Sequence, residues 1–118
     1  MRILVVEDEP LLSMLLEENI VELGHEVAGS AATVAHALET VDKGRVDCAL
    51  LDFSLGSSGN SVPIAERLRA DGIPFTFLSG HQDFKHDQSV PEAPLLNKPF
   101  SLDQLDVAIR DMAAFSIR

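Results

Sequence analysis

Residues 48–52 read Cys-Ala-Leu-Leu-Asp, four apolar side chains in a row and then a carboxylate. A strand with one wet face alternates polar and apolar residues, so an unbroken apolar run marks a strand covered on both faces. Such strands belong to parallel sheets, because each parallel crossover lays a helix on one face or the other. The rest of the chain supplies the other layers. Ile3–Val6 and Pro74–Ser79 are further apolar runs, Leu95–Asn97 is a short last one, and Glu26–Gly29 is a weak one. Helical patterns separate them. Leu12, Leu15, Leu16, Ile20 and Leu23 recur from Pro10 to Gly24, Val34, Ala37, Leu38 and Val41 precede Gly44, and Ile64, Ala65 and Leu68 precede Gly72. A final helix is headed by Ser101, with Gln104 completing a capping box and Leu102, Leu105, Ile109 and Met112 as its apolar stripe. Gly80–Pro94 breaks the rhythm: it is polar and poorly periodic where a helix is due between the fourth and fifth strands. The expectation is one α/β domain over residues 1–118, a doubly wound five-stranded parallel sheet whose fourth helix is short or irregular.

Charge and cysteine usage narrow the function. Nineteen acids against nine Lys and Arg leave a formal net charge of −10, which opposes binding to nucleic acid or an anionic membrane. No apolar run approaches the roughly 20 residues needed to cross a bilayer, and the run after Met1-Arg2 stops at Glu7, too soon for a secretory signal. The single cysteine, Cys48, excludes an internal disulfide framework, fits a reducing cytoplasm and reads as core filler.

In a doubly wound sheet, sites form beyond the carboxyl ends of the strands. Those ends carry Glu7 and Asp8 after the first strand, Asp52 after the third, Ser79 after the fourth and Lys98 after the fifth. Three carboxylates in one crevice call for a hard dication with oxygen ligands, and Mg²⁺ suits few carboxylates with retained waters. Lys98 offsets part of the remaining charge. Such a site admits a phosphoryl group, with Asp52 as the nucleophile and Ser79 as a hydrogen-bond donor to a phosphoryl oxygen.

The stretches LVVEDEP, LLDFSL, FLSG and NKPF, in that order and each at a strand end, make the chain similar to the receiver domains of bacterial two-component response regulators. The resemblance implies a flavodoxin-like sheet of order 2-1-3-4-5. It implies Asp52 as phosphoacceptor, and Mg²⁺ held by Asp8, by Asp52, by the backbone carbonyl of Ser54 and by Glu7 through a water. It further implies Lys98 as the paired cation, Ser79 as the hydroxyl that shifts toward the phosphoryl group, and a cis Lys98–Pro99 bond. Ser54 and His81 fall at the positions that tune phosphoryl lifetime. Glu9 is then only a helix-start acid.

Three departures stand out. Glu7 and Ser79 replace the commoner Asp and Thr, and Leu95 stands where many receivers carry a Tyr or Phe that rotates on activation. PFTFLSGH resembles the Pro-Phe-x-Phe-x-Thr-Gly-Tyr signature of a stand-alone subgroup, which makes Gly80–Pro94 the expected switch. The implied partners are a sensor histidine kinase or histidine phosphotransfer protein and a downstream protein target, for which the last helix and the segment before it form a docking face. The expected function is a non-enzymatic phosphoacceptor without an attached output, acting as an effector or as a phosphate sink or relay. An aspartate-nucleophile phosphatase lacks its acid, because Ser54 holds that position. A flavodoxin-like cofactor site would be repelled by Glu7-Asp8-Glu9. His81, Asp83, His86 and Asp87 fit no zinc spacing, and His25 and His36 read as surface residues.

Overall fold

The computed structural model describes residues 1–56, 59–80 and 94–116, with side chains of the last helix as far as Ala114. Five strands and four helices follow one another among the described residues: β1 (Arg2–Val6), α1 (Pro10–Glu22), β2 (Glu26–Ala31), α2 (Val34–Asp42), β3 (Cys48–Asp52), α3 (Val62–Ala70), β4 (Phe75–Ser79), β5 (Leu95–Asn97) and α4 (Leu102–Ser116). The strands form one sheet in the order β2-β1-β3-β4-β5, parallel at every pairing. The expectation of a short or irregular helix in Gly80–Pro94 falls on residues 81–93, outside the described residues.

The apolar run of β3 has its reason in two cores. Cys48 and Leu50 point into one with Ile3, Val5, Leu16, Ile20, Leu105 and Ile109, beneath α1 and α4. Ala49 and Leu51 point into the other with Leu4, Val6, Ala37, Ile64, Leu68 and Phe77, beneath α2 and α3. Each large aliphatic chain buried this way contributes about 1.5–3 kcal/mol. Cys48 is wholly buried, and that burial pushes its thiol up to about 12.

Two local features differ from the sequence reading. β2 runs on to Ala31, because the β1–β2 register shifts between Ile3 and Leu4 and carries pairing through Val6 and Ala31. Gly29, in that stretch, lets α2 approach closely: a Cβ there would sit 2.8 Å from Thr40 Cγ2. On α1, Leu15 is 52% exposed, while Ser13 joins Leu16 and Ile20 in the buried row. Residues 13, 16 and 20 share one helical face and 15 does not. The Ser13 hydroxyl is satisfied there by Ser30, 2.6 Å away. The capping box of α4 forms as read: Ser101 N–H donates to Gln104 Oε1 at 2.8 Å, and Gln104 N–H to Ser101 Oγ at 3.1 Å.

Candidate functional site: an acid crevice at the strand ends

Parallel strands that enter the sheet from one side must also leave it on one side, and the residues that follow them meet there. Glu7 follows β1 and is tied to β2 by its N–H, which donates to the Ala31 carbonyl at 3.0 Å. Asp52 is the last residue of β3. Lys98 follows β5, and its N–H donates to the Ser79 carbonyl at the end of β4, 2.8 Å away. Glu7 and Asp52 are only 3% and 5% exposed, while Asp8 is exposed.

The side chains converge. Carboxylate oxygens of Glu7, Asp8 and Asp52 lie within 4.8 Å of one another. Lys98 Nζ bridges two of them, 3.1 Å from Glu7 Oε2 and 3.1 Å from Asp52 Oδ1. Glu7 Oε1 accepts the Glu9 N–H at 3.2 Å, so Glu9 serves the crevice through its backbone. Among the described residues, one ammonium among three carboxylates leaves excess negative charge. Burial first, and then Asp52 beside it, raise the Glu7 pKa to about 7, against the opposing pull of Lys98. Burial works against the Lys98 ammonium, but Asp52 and Glu7 outweigh it and hold its pKa above the ordinary lysine value.

This donor set fits Mg²⁺. Its oxygens are hard, its charge is in excess, and a dication would take the place of the proton that Glu7 retains. The loop after Asp52 adds to the fit. Ser54 forms an antiparallel bridge with Asn60 whose bonds run from Leu55 N–H to the Gly59 carbonyl and from Ser61 N–H to the Phe53 carbonyl. Neither uses the Ser54 carbonyl. Gly56, at φ +58°, closes on Asp8 so tightly that a Cβ would lie 3.0 Å from Asp8 Oδ2. Gly56 and Asn60, whose Oδ1 accepts the Val62 N–H at the start of α3, were not singled out in the sequence. Their one signal there is a Gly- and Ser-rich loop.

Other expected residues are placed less simply. Ser79 is buried at the end of β4, one residue beyond the Leu78 that pairs with Asp52, and its hydroxyl donates to the Gly80 carbonyl at 2.8 Å. The Lys98–Pro99 bond is cis. Leu95 is 45% exposed. His36 is exposed, but His25 is half-buried with its Nδ1 3.2 Å from the terminal amine of Met1, a packing role rather than a solvated one. His81, and the group His81, Asp83, His86 and Asp87, lie outside the described residues.

The family model of the response regulator receiver domain matches residues 3–110. The chain belongs to the response regulator receiver family. Receivers are generally non-enzymatic signalling domains that take Mg²⁺ at an acidic pocket and interact with histidine kinases or phosphotransfer proteins. Among related receivers, the transcriptional regulatory protein TcrA of Mycobacterium tuberculosis is 34% identical over 95% of this chain and 46% of its own length. The phyllosphere-induced regulator PhyR of Methylorubrum extorquens is 32% identical over 96% of this chain and 43% of its own. The chain thus spans about half the length of the curated relatives it matches. The solution structure of SdrG from Sphingomonas melonis Fr1 superposes with a TM-score of 0.80 at 38% identity, covering 100% of this chain and 97% of that one. The Erythrobacter litoralis PhyR receiver domain gives 0.86 at 31%, covering 97% and 90%. Among the described residues, no helix is long and apolar enough to cross a membrane.

Proposed function

We propose that this chain is a stand-alone receiver that accepts a phosphoryl group on Asp52 from a phosphohistidine of a sensor kinase or phosphotransfer protein. The reaction is Mg²⁺-dependent, takes place in the cytoplasm and switches the protein's contacts with a downstream target. The observation that carries this reading is the Lys98 ammonium held 3.1 Å from both Asp52 and Glu7, with Asp8 completing the carboxylate cluster.

An Asp52 carboxylate oxygen attacks phosphorus, the bond from phosphorus to the partner's imidazole nitrogen breaks, and the imidazole keeps the electron pair. Asp8, Asp52, Glu7 and the Ser54 carbonyl would hold Mg²⁺, which would supply neutralisation of the phosphoryl oxygens. Lys98 stays cationic and gives up its ion pair with Asp52 to meet a phosphoryl oxygen. Ser79 turns its hydroxyl from the Gly80 carbonyl toward another, so that phosphorylation is coupled to the backbone after β4. Ser54 and His81 set how readily water reaches the acyl phosphate. The PhyR of Bartonella quintana, an anti-anti-sigma factor 26% identical to this chain, supports output through protein contacts.

The test is intact mass after incubation with Mg²⁺ and acetyl phosphate. A single phosphoryl adduct, absent with EDTA and absent from Asp52→Asn, is the expected result. An adduct on both proteins means that the nucleophile is elsewhere.

A further inference from the structure

The three carboxylates of the crevice are not held alike. Glu7 is fixed by Lys98 Nζ at 3.1 Å and by the Glu9 N–H at 3.2 Å, and Asp52 by the same ammonium at 3.1 Å. Asp8 is exposed, and among the described residues no hydrogen bond or ion pair restrains its carboxylate. Gly56 is what stands against it. A Cβ at Gly56 would lie 3.0 Å from Asp8 Oδ2, the one described atom beyond the chain neighbours that it would meet within 4 Å. The loop that carries Gly56 is closed on itself. Leu55 N–H donates to the Gly59 carbonyl at 2.8 Å, Gly59 N–H to the Gly56 carbonyl at 3.1 Å, and Ser61 N–H to the Phe53 carbonyl at 2.9 Å. Backbone pinned in this way does not yield easily, so a side chain at 56 would be accommodated by Asp8, which would give by a few tenths of an ångström.

Without a metal that movement costs little, because an exposed carboxylate can turn into water. A metal ligand lacks that freedom. Mg²⁺ demands near-ideal octahedral geometry at about 2.0–2.1 Å, whereas Ca²⁺ accepts flexible geometry at about 2.3–2.6 Å. The displacement is of the size that separates the two ions. We propose that Gly56 is a positioning residue for the metal: its missing side chain sets where the Asp8 carboxylate stands, and thereby favours Mg²⁺ over the larger Ca²⁺. The proposal rests on the reading of the crevice as a Mg²⁺ site. Gly56 also has φ +58°, a left-handed conformation that costs most other residues energy, so strain and contact must be separated. The molecule contains the control. Gly59 lies in the same loop at φ +93°, and a Cβ there would meet nothing within 4 Å. Both positions carry the strain, and only Gly56 carries the contact.

The experiment is amide NMR of the full chain titrated with Mg²⁺ and with Ca²⁺, without phosphodonor, beside urea unfolding in metal-free buffer. In urea, Gly56→Ala and Gly59→Ala should both lower the midpoint, Gly59→Ala at least as much, since φ +58° lies nearer the left-handed well. Gly56→Ala should weaken Mg²⁺ binding by about tenfold or more and Ca²⁺ binding by less than about threefold. Gly59→Ala should leave both within about twofold of the parent. Gly56→Asn tolerates the left-handed conformation yet carries the Cβ, so it should repeat the Mg²⁺ loss with a smaller loss in urea, and it serves where Gly56→Ala fails to fold. Equal loss of Mg²⁺ affinity in Gly56→Ala and Gly59→Ala would mean that loop strain is the cause. Equal loss of Mg²⁺ and Ca²⁺ in Gly56→Ala would mean that the contact does not select between the ions. Either overturns the proposal, as does an unchanged Mg²⁺ affinity in Gly56→Ala, which would leave the reading of the crevice intact. A parent that takes up no Mg²⁺ would overturn that reading as well.

Discussion

Both ends of the sheet are charged, and they handle charge in opposite ways. At the amino ends of the strands, Arg2 pairs with Glu26 at 3.0 Å, its backbone N–H donates to Asp47 at 2.7 Å, and its Nε donates to the Arg45 carbonyl. These contacts are exposed and pairwise balanced. At the carboxyl ends, three carboxylates share one ammonium, and two of the three are buried. Water screens the first set, so it contributes little. The second set is desolvated and unbalanced, which leaves it poised for a cation. The difference separates charge that finishes a surface from charge that makes a site.

Removing the Lys98 ammonium is the hardest blow to that contrast. Lys98→Ala leaves Glu7 and Asp52 facing each other, and in Mg²⁺-free buffer at pH 8 it should cost about 3 kcal/mol in urea unfolding. The loss should shrink at pH 5, where Glu7 is protonated. Supplying a cation works the other way. Mg²⁺ at about 100 times its Kd should add about 2.7 kcal/mol, read as a rise in Tm, with no rise in Asp8→Asn. At one fixed Mg²⁺ concentration the rise should be larger at pH 8 than at pH 5, because at pH 5 the ion must displace the proton on Glu7.

The metal-free protein has its own pH signature. Glu7 holds its proton up to about pH 7 when folded, against an ordinary value of 4.5. Between those values the folded state binds more protons than the unfolded one. The stability from Glu7 is therefore complete below about pH 4.5 and fades as pH rises toward 7. The urea midpoint should fall over that window, and Glu7→Gln should flatten it. The smallest effect belongs to the amino end: Glu26→Gln should shift stability by less than about 1 kcal/mol at any of these pH values. A loss as large as that of Lys98→Ala would erase the distinction between the two ends.

Much of this was legible in the chain before its fold was known. The unbroken run Cys48–Leu51 required two covered faces, and both cores are there. The strand ends named the acids and Lys98, because a parallel sheet sends its carboxyl ends to one edge. Ser101 and Gln104 announced a capping box that forms with both of its bonds. What stayed hidden depended on approach rather than pattern. Ser13 reads as a polar interruption of α1, and only the nearness of Ser30 makes its burial affordable. Gly29 reads as the end of a weak strand, whereas its role is to admit Thr40. Gly56 reads as one more loop glycine until the Asp8 carboxylate is seen beside it. Each is set by a neighbour remote in sequence, which no local periodicity records.

Cys48 has a practical consequence. The protein's one native thiol lies wholly inside the sheet with a pKa near 12, and alkylating reagents attack the thiolate. At neutral pH it should therefore ignore maleimides for as long as the fold holds. A cysteine introduced at Val107 would take a fluorophore alone, with no need to remove the native residue from the core. The same silent thiol turns slow labelling into a clock for global unfolding, since Cys48 can react only when β3 leaves the sheet.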